Sequence, residues 1–183
     1  MKTKRLFIGT FIESKPLKSK YSKIKKEFGG ILPGRWIKPE NFHITFKFLG
    51  NVPEEEIPEI QDKLKEYLDK LQNAQFELRG LGVFPNAEHP KVLYIKVIDN
   101  DGILKKLQKF TEEKMEQLGF KKENRPFIPH ITLKRIKSAD VEKLKQKLEK
   151  YKEVSFGKQS IVELNLIESI TNPKGAIYKK IKH

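Results

Sequence analysis

The tripeptide His-Ile-Thr occurs twice in this chain, at residues 43–45 and 130–132. Each copy follows a loop that contains proline and begins an apolar stretch typical of a β-strand. The chain of 183 residues has only four histidines, so two of them heading the same tripeptide indicate an internal duplication. We therefore expect two similar halves that bring the two tripeptides together.

The predicted elements repeat in the same order around the two tripeptides. The first half is predicted to contain a strand at 5–12, a helix at 17–28, a strand at 43–50, a helix at 53–71 and a strand at 76–84. The second half is predicted to contain a strand at 91–98, a helix from Asp101 to Gly119, a strand at 130–136, a helix from Ser138 to Leu148, and strands near 161–167 and 176–181. This order alone favours a parallel α/β sheet, whereas the apolar–polar alternation at 162–166 favours a sheet with one solvated face. These residues leave the direction of the strands open.

The spacing within each tripeptide suggests a paired chemical role. Alternate residues of a strand share one face, so His43 projects with Thr45 and His130 projects with Thr132. If the halves are related by a pseudo-two-fold axis, the two pairs face each other across a cleft. Near neutral pH one imidazole can act as a base and the other as an acid, while the hydroxyls can stabilise a phosphate.

The charge of the chain favours a polyanionic partner. Lysine and arginine number 38 against 24 acidic residues, which gives a formal net charge of +14. Lys47 and Lys134 share strand parity with the histidines and are predicted to raise the positive potential of the cleft. The alternative is the solvated surface of a heat-adapted protein.

Several other classes of site are disfavoured. The chain has no cysteine, which excludes disulfides and thiolate chemistry. No carboxylate lies two residues from either tripeptide histidine and no His-Glu-x-x-His helix occurs, so no metal or other cofactor is predicted. The apolar runs are too short to span a membrane and the N-terminus lacks the features of a signal peptide, so we expect a soluble cytoplasmic protein. His89 and His183 are interpreted as surface residues.

Residues 35–50 and 125–135 resemble the paired signatures of the two-histidine phosphoesterase superfamily, in particular its RNA 2′,3′-cyclic phosphodiesterase branch, formerly called the 2′-5′ RNA ligases. The likeness extends to the opening strand, to Gly-Val-Phe-Pro at 82–85 and to Pro-Lys-Gly at 173–175. It implies an α+β fold in which residues 1–183 form a single two-lobed domain, a pseudo-two-fold duplication. Each lobe would be an antiparallel sheet with helices on its outer face, and the motifs at 43–46 and 130–133 would line the cleft between the lobes.

The resemblance also implies an activity, namely metal-independent hydrolysis of RNA 2′,3′-cyclic phosphate ends to 2′-phosphates. It assigns His43 as the general acid that protonates the departing O3′ and His130 as the base that activates water. Thr45 and Thr132 would bind the phosphate. The family pattern further places a functional arginine at Arg135, although strand parity turns this residue away from the cleft unless a bulge intervenes.

The sequence is compatible with one implied partner and with several alternative functions. The resemblance implies RNA with cyclic phosphate ends, such as tRNA halves, as the partner of a monomer, and 2′-5′ ligation when a 5′-hydroxyl replaces water. The alternatives are an RNA-end binding module without turnover, a phosphodiesterase acting on 2′-5′-linked oligonucleotides, and a basic scaffold whose histidines are buried away from any cleft. Arg125 is interpreted as part of a salt bridge within its loop. Phe48, Phe127 and Tyr178 are expected to pack in the core rather than to stack on a base.

Overall fold

Residues 1–182, which the computed structural model describes, form nine strands and four α-helices. The strands are β1 (Thr3–Phe11), β2 (Gly34–Trp36), β3 (His43–Pro53), β4 (Leu71–Phe84), β5 (Val92–Asp99), β6 (His130–Ile136), β7 (Ser155–Glu163), β8 (Asn165–Ile170) and β9 (Ile177–Lys180). The helices are α1 (Lys15–Phe28), α2 (Ile57–Leu64), α3 (Ile103–Gln117) and α4 (Val141–Lys150).

The strands form two separate antiparallel sheets, so the α+β class is confirmed and the parallel alternative is wrong. The first sheet has the order β3-β1-β8-β9 and the second has the order β2-β6-β5-β4-β7. Strand β8, from the second half of the chain, pairs with β1, and strand β4, from the first half, pairs with β5. Each half therefore supplies strands to the sheet of the other, and the two lobes do not coincide with the two halves of the sequence.

The helices cover the sheets with the apolar faces that their spacing predicts. Helix α1 buries Leu17, Tyr21, Ile24 and Phe28, and its first turn is capped by Ser14, whose hydroxyl accepts a hydrogen bond from the backbone N–H of Leu17. Helices α1 and α4 contact each other and the second sheet, while α3 contacts α2 and β3 of the first sheet. Strand β3 is thereby held between α3 and the cleft, while the hydroxyl of Tyr21 in α1 donates to the carbonyl oxygen of Leu133 in β6.

Some predicted boundaries are wrong because tertiary contacts override the local pattern. The acids at 54–56 form a 3-10 turn, α2 ends at Leu64, and Leu71, predicted on its apolar stripe, lies in β4 with 64% of its surface exposed. Helix α4 is capped by Asp140, which accepts from the backbone N–H of Lys143, rather than by Ser138. The strand predicted near 161–167 is two strands, because the chain passes from the second sheet to the first at Leu164.

Candidate active site

Both His-Ile-Thr strands carry a β-bulge three residues after the histidine. The residue left unpaired is Phe46 in β3 and Leu133 in β6. One extra residue reverses the alternation of all side chains beyond it. The bulges therefore turn Phe48 and Arg135, which occupy equivalent positions in the two motifs, toward the cleft.

A backbone carbonyl orients each imidazole in the same way. Nδ1 of His43 lies 2.7 Å from the carbonyl oxygen of Asn41, and Nδ1 of His130 lies 2.8 Å from that of Ile128. Because a carbonyl oxygen only accepts, each Nδ1 carries the proton and donates it. The Nε2 atom of each neutral ring is consequently the basic nitrogen, and it has no hydrogen-bond partner within residues 1–182.

Aromatic rings enclose His43. The ring centroids of Phe7 and Tyr178 lie 4.9 and 5.0 Å from that of His43. Burial, together with the positive charges of a protonated His130 and of Arg135, lowers the pKa of His43 from 6.5 to about 4, against the opposing effect of the hydrogen bond that Nδ1 donates to the carbonyl of Asn41. His43 is therefore neutral at pH 7 in the free protein.

His130 has a similar surrounding built from the other lobe. The ring centroids of Phe84 and Tyr94 lie 4.9 and 5.3 Å from that of His130. Burial lowers the pKa of His130 below its usual value of 6.5, against the opposing effect of its hydrogen bond to the carbonyl of Ile128. Burial thus favours the neutral form of both imidazoles in the free protein.

The five predicted site residues line one cavity. It has a volume of about 440 Å³, lies between the two sheets, and is lined by His43, Thr45, His130, Thr132 and Arg135. A second cavity of about 610 Å³ adjoins it and shares Thr45 and His130 with it. The arrangement presents two imidazoles, two hydroxyls and a guanidinium to one small ligand.

Comparisons with known proteins identify the family of the chain. Residues 6–183 match the family described as the AKAP7 2′5′ RNA ligase-like domain. The RNA 2′,3′-cyclic phosphodiesterase of Methanocaldococcus jannaschii is 38% identical over 182 residues, covering 97% of this chain and 98% of the relative. That of Aquifex aeolicus is 35% identical over 183 residues, covering 100% and 97%. The chain belongs to the RNA 2′,3′-cyclic phosphodiesterase family of two-histidine phosphoesterases.

Solved structures show the same fold over nearly the whole chain. A crystal structure of a Thermus thermophilus protein matches with a TM-score of 0.75 and 26% identity, covering 97% of this chain and 95% of that one. E. coli LigT complexed with 3′-AMP matches with a TM-score of 0.78, covering 99% and 97%, and at 21% identity it bears on the fold alone.

The bulges overturn the prediction that Lys47 and Lys134 face the cleft of this phosphodiesterase. The ammonium of Lys47 is buried and lies 2.9 Å from a carboxylate oxygen of Glu112. Lys134 is also buried, and its ammonium lies 4.2 Å from the ring centroid of Trp36. Both lysines follow the unpaired residue directly, so they point to the face opposite the one that strict alternation predicts.

The aromatic residues of the cleft were the main omission of the sequence-based prediction. Phe48 was expected in the core, but 66% of its surface is exposed and its ring borders both cavities. Tyr178 was also expected in the core, yet it lines the cleft beside His43, whereas Phe127 packs against Phe46 at a centroid distance of 6.1 Å. No local signal identifies Phe48 as exposed, since its direction depends on the bulge in β3.

The remaining polar predictions concern loops. Arg125 forms a salt bridge with Glu123 in its own loop, with an N–O distance of 3.0 Å, as predicted. His89 is exposed in the loop between β4 and β5, and His183 lies outside the described residues.

Within residues 1–182, no cluster of three or more histidine or acidic side chains is placed to hold a metal ion. In the same part of the chain, no helix has the length and apolar character needed to cross a membrane.

Proposed function

We propose that this protein hydrolyses the 2′,3′-cyclic phosphate end of an RNA to a 2′-phosphomonoester, with His43 and His130 as a metal-independent acid–base pair. The observation that carries the proposal is that both imidazoles line one cavity and each leaves Nε2 available to reacting groups. Full-length relatives named for this activity support the same substrate class.

In the proposed reaction His130 accepts a proton from water as the water oxygen attacks phosphorus. His43 donates a proton to O3′ as the P–O3′ bond breaks, which leaves a 3′-hydroxyl and a 2′-phosphate. Each proton transfer typically contributes a factor of ~10²–10⁴ in rate. Thr45 and Thr132 donate hydrogen bonds to the non-bridging oxygens, and the guanidinium of Arg135 balances the charge that develops on them.

The environment of His43 means that the substrate must help to charge it. With a pKa of about 4 this ring is neutral in the free protein at pH 7. An anionic phosphate within hydrogen-bond reach stabilises the protonated imidazole, so that binding and proton uptake are expected to be coupled. Calorimetry of nucleoside 2′-phosphate binding, repeated in buffers of different ionisation enthalpy, measures this uptake.

The direct test is incubation of the protein with an RNA that carries a 2′,3′-cyclic phosphate, in the presence of EDTA. We expect a 2′-phosphate product from the wild type, and no turnover from the folded variants His43→Ala and His130→Ala. His89→Ala is the matched control, because His89 is an exposed loop histidine, and it should retain full activity. Persistence of the cyclic end with the wild-type protein would end the proposal, and the protein would then be an RNA-end binding module if it still bound the RNA.

The second cavity favours a further substrate for the same pair. Because it adjoins the first cavity at Thr45 and His130, a phosphodiester between two nucleosides has room on both sides. Cleavage of 2′-5′-linked oligonucleotides, and 2′-5′ ligation when a 5′-hydroxyl replaces water, are therefore second candidate activities. A 2′-5′-linked dinucleotide and its 3′-5′-linked isomer, assayed side by side, test for selective cleavage.

The fold also suggests that one molecule forms the complete active unit. Each sheet contains strands from both halves of the chain, and the two histidine motifs belong to one molecule. We therefore propose that residues 1–183 act as a single two-lobed domain and as a monomer, with RNA ends such as those of tRNA halves as substrates. Sedimentation of the active protein tests the monomeric state.

A further inference from the structure

Arg5 lies in the catalytic cavity at a distance from the histidines. Along β1, Arg5, Phe7 and Gly9 share one face, and Arg5 and Phe7 line the same cavity as His43. In the pairing of β1 with β3, Gly9 lies opposite Thr45. Arg5 lies further along the strand pair, beyond the position of the exposed ring of Phe48. The cation therefore stands at one end of the site.

Within the part of the chain that the structure describes, no acidic group pairs with the charge of Arg5. Arg5 has no ion-pair or hydrogen-bond partner within residues 1–182, whereas the adjacent Lys4 is paired with Glu168 at 3.3 Å. Burial raises the pKa of Tyr178, and the positive charges of Arg135 and Arg5 oppose that rise, so both charges are felt inside the cleft. A guanidinium without a counter-charge in a concave site, on a chain of net charge +14, favours an anionic ligand.

The position of Arg5 along the strand places it at a different level from the proposed site of the reacting phosphate. Arg5 precedes Gly9 by four residues, which at about 3.3 Å per residue separates their Cα atoms by roughly 13 Å. Between these two levels Phe7 pairs with Phe48, whose ring is exposed. The strand pair thus presents a phosphate-binding hydroxyl, an exposed aromatic ring and a cation, in that order.

We propose that Arg5 binds the phosphate on the 5′ side of the terminal nucleotide, while the cyclic phosphate of that nucleotide lies between His43 and His130. This inference rests on the proposed function and adds a second phosphate subsite to it. The order along β1 and β3 then follows the order phosphate, nucleoside, phosphate in an RNA strand. The hydroxyls of Ser169 and Thr171, which line the same cavity, can donate to this second phosphate.

The test compares two substrates that differ only at the 5′ position. A nucleoside 2′,3′-cyclic phosphate with a 5′-hydroxyl is assayed beside the same compound with a 5′-phosphate. We expect the wild type to favour the 5′-phosphate by about five- to tenfold in kcat/KM, the size of a charge-assisted contact at a partly solvated site. In Arg5→Gln this ratio should fall to about one, and Arg5→Lys should restore part of it, because lysine keeps the charge without the bidentate geometry.

Arg125→Gln is the matched control, since it removes the same charge at the rim of the second cavity. It should keep the wild-type ratio. The inference is overturned if Arg5→Gln keeps the wild-type ratio, if the wild type turns over both substrates equally, or if Arg125→Gln loses the preference instead. Each of these results leaves cyclic phosphate hydrolysis intact.

Binding measurements keep the test independent of turnover. Calorimetry compares a nucleoside 2′,5′-bisphosphate with the nucleoside 2′-phosphate on the wild type and on Arg5→Gln. A preference for the bisphosphate that disappears in the variant supports the subsite even when no substrate is hydrolysed. Equal affinities of the wild type for the two ligands contradict it.

Discussion

Replacing Glu112 with glutamine is expected to destabilise the protein, because it removes the counter-charge of a buried lysine. The ammonium of Lys47 lies 2.9 and 3.1 Å from the two carboxylate oxygens of Glu112 and 2.8 Å from the carbonyl oxygen of Lys121. Both side chains of the pair are less than a tenth exposed. Removing one partner of a buried pair typically costs about 3–5 kcal/mol. The carboxylate also accepts the backbone N–H of Glu123 at 3.2 Å, so the segment that leads to His130 loses an anchor.

Chemical unfolding followed by circular dichroism gives the free energies of unfolding that test this prediction. We expect Glu112→Gln and Lys47→Met each to lose about 3–5 kcal/mol, and the double variant to recover much of the loss because no unpaired charge remains. Asp62→Asn is the matched control, because its pair with Lys65 is exposed, and it should leave the stability nearly unchanged. Losses in the single variants no larger than in this control, or a loss in the double variant equal to the sum of the two single losses, would contradict a stabilising buried ion pair.

Three further predictions concern the site. Between pH 6.5 and 4 the unfolded chain binds more protons than the folded one, because the pKa of His43 is about 4 in the folded protein, so acidification should destabilise the protein by up to about 1.4 kcal/mol per pH unit. In unfolding curves at pH 7 and 4.5, His43→Asn should lose less stability than the wild type. Equal losses would contradict the low pKa of His43. Gly9→Ala should lose stability and activity in thermal unfolding and turnover assays, because the added Cβ would lie 2.5 Å from the carbonyl oxygen of Ile44. Gly30→Ala is the control and should lose neither, because a Cβ added there has no atom within 4 Å. Phe48→Ala should weaken binding of cyclic-phosphate RNA by roughly 1–3 kcal/mol through the loss of base stacking. Phe48→Tyr should retain the affinity, because the ring remains. Equal affinities of the two variants in calorimetry would argue against stacking.

Much of the secondary structure could be predicted because it depends on local periodicity. The spacing of Leu17, Tyr21, Ile24 and Phe28 predicts α1, and all four residues are buried. The prediction failed where a distant segment intervened. Asp69 adopts a φ of 58° and its backbone N–H donates to the carbonyl oxygen of Leu164, so the chain turns into β4 instead of continuing the helix. The apolar spacing before that turn contains no sign of it.

The site shows the same division between local and distant causes. His43 shares a face with Thr45 and His130 with Thr132 because two residues of a strand suffice to set that relation. The direction of Arg135 could not be predicted, because it depends on which residue of β6 is left unpaired by β5. The position of the unpaired residue is set by the pairing of the two strands, so neither strand reveals it alone.

The amino-acid sequence alone shows two histidines, each with a threonine neighbour, in matching halves of a strongly basic chain. Only the folded chain shows that the halves exchange strands, that the bulges expose Phe48 and Arg135 while burying Lys47 and Lys134, and that burial lowers the pKa of both imidazoles. The physical reason is that alternation along a strand is a property of neighbouring residues. Register, bulges and burial are instead properties of segments that meet only when the chain is folded.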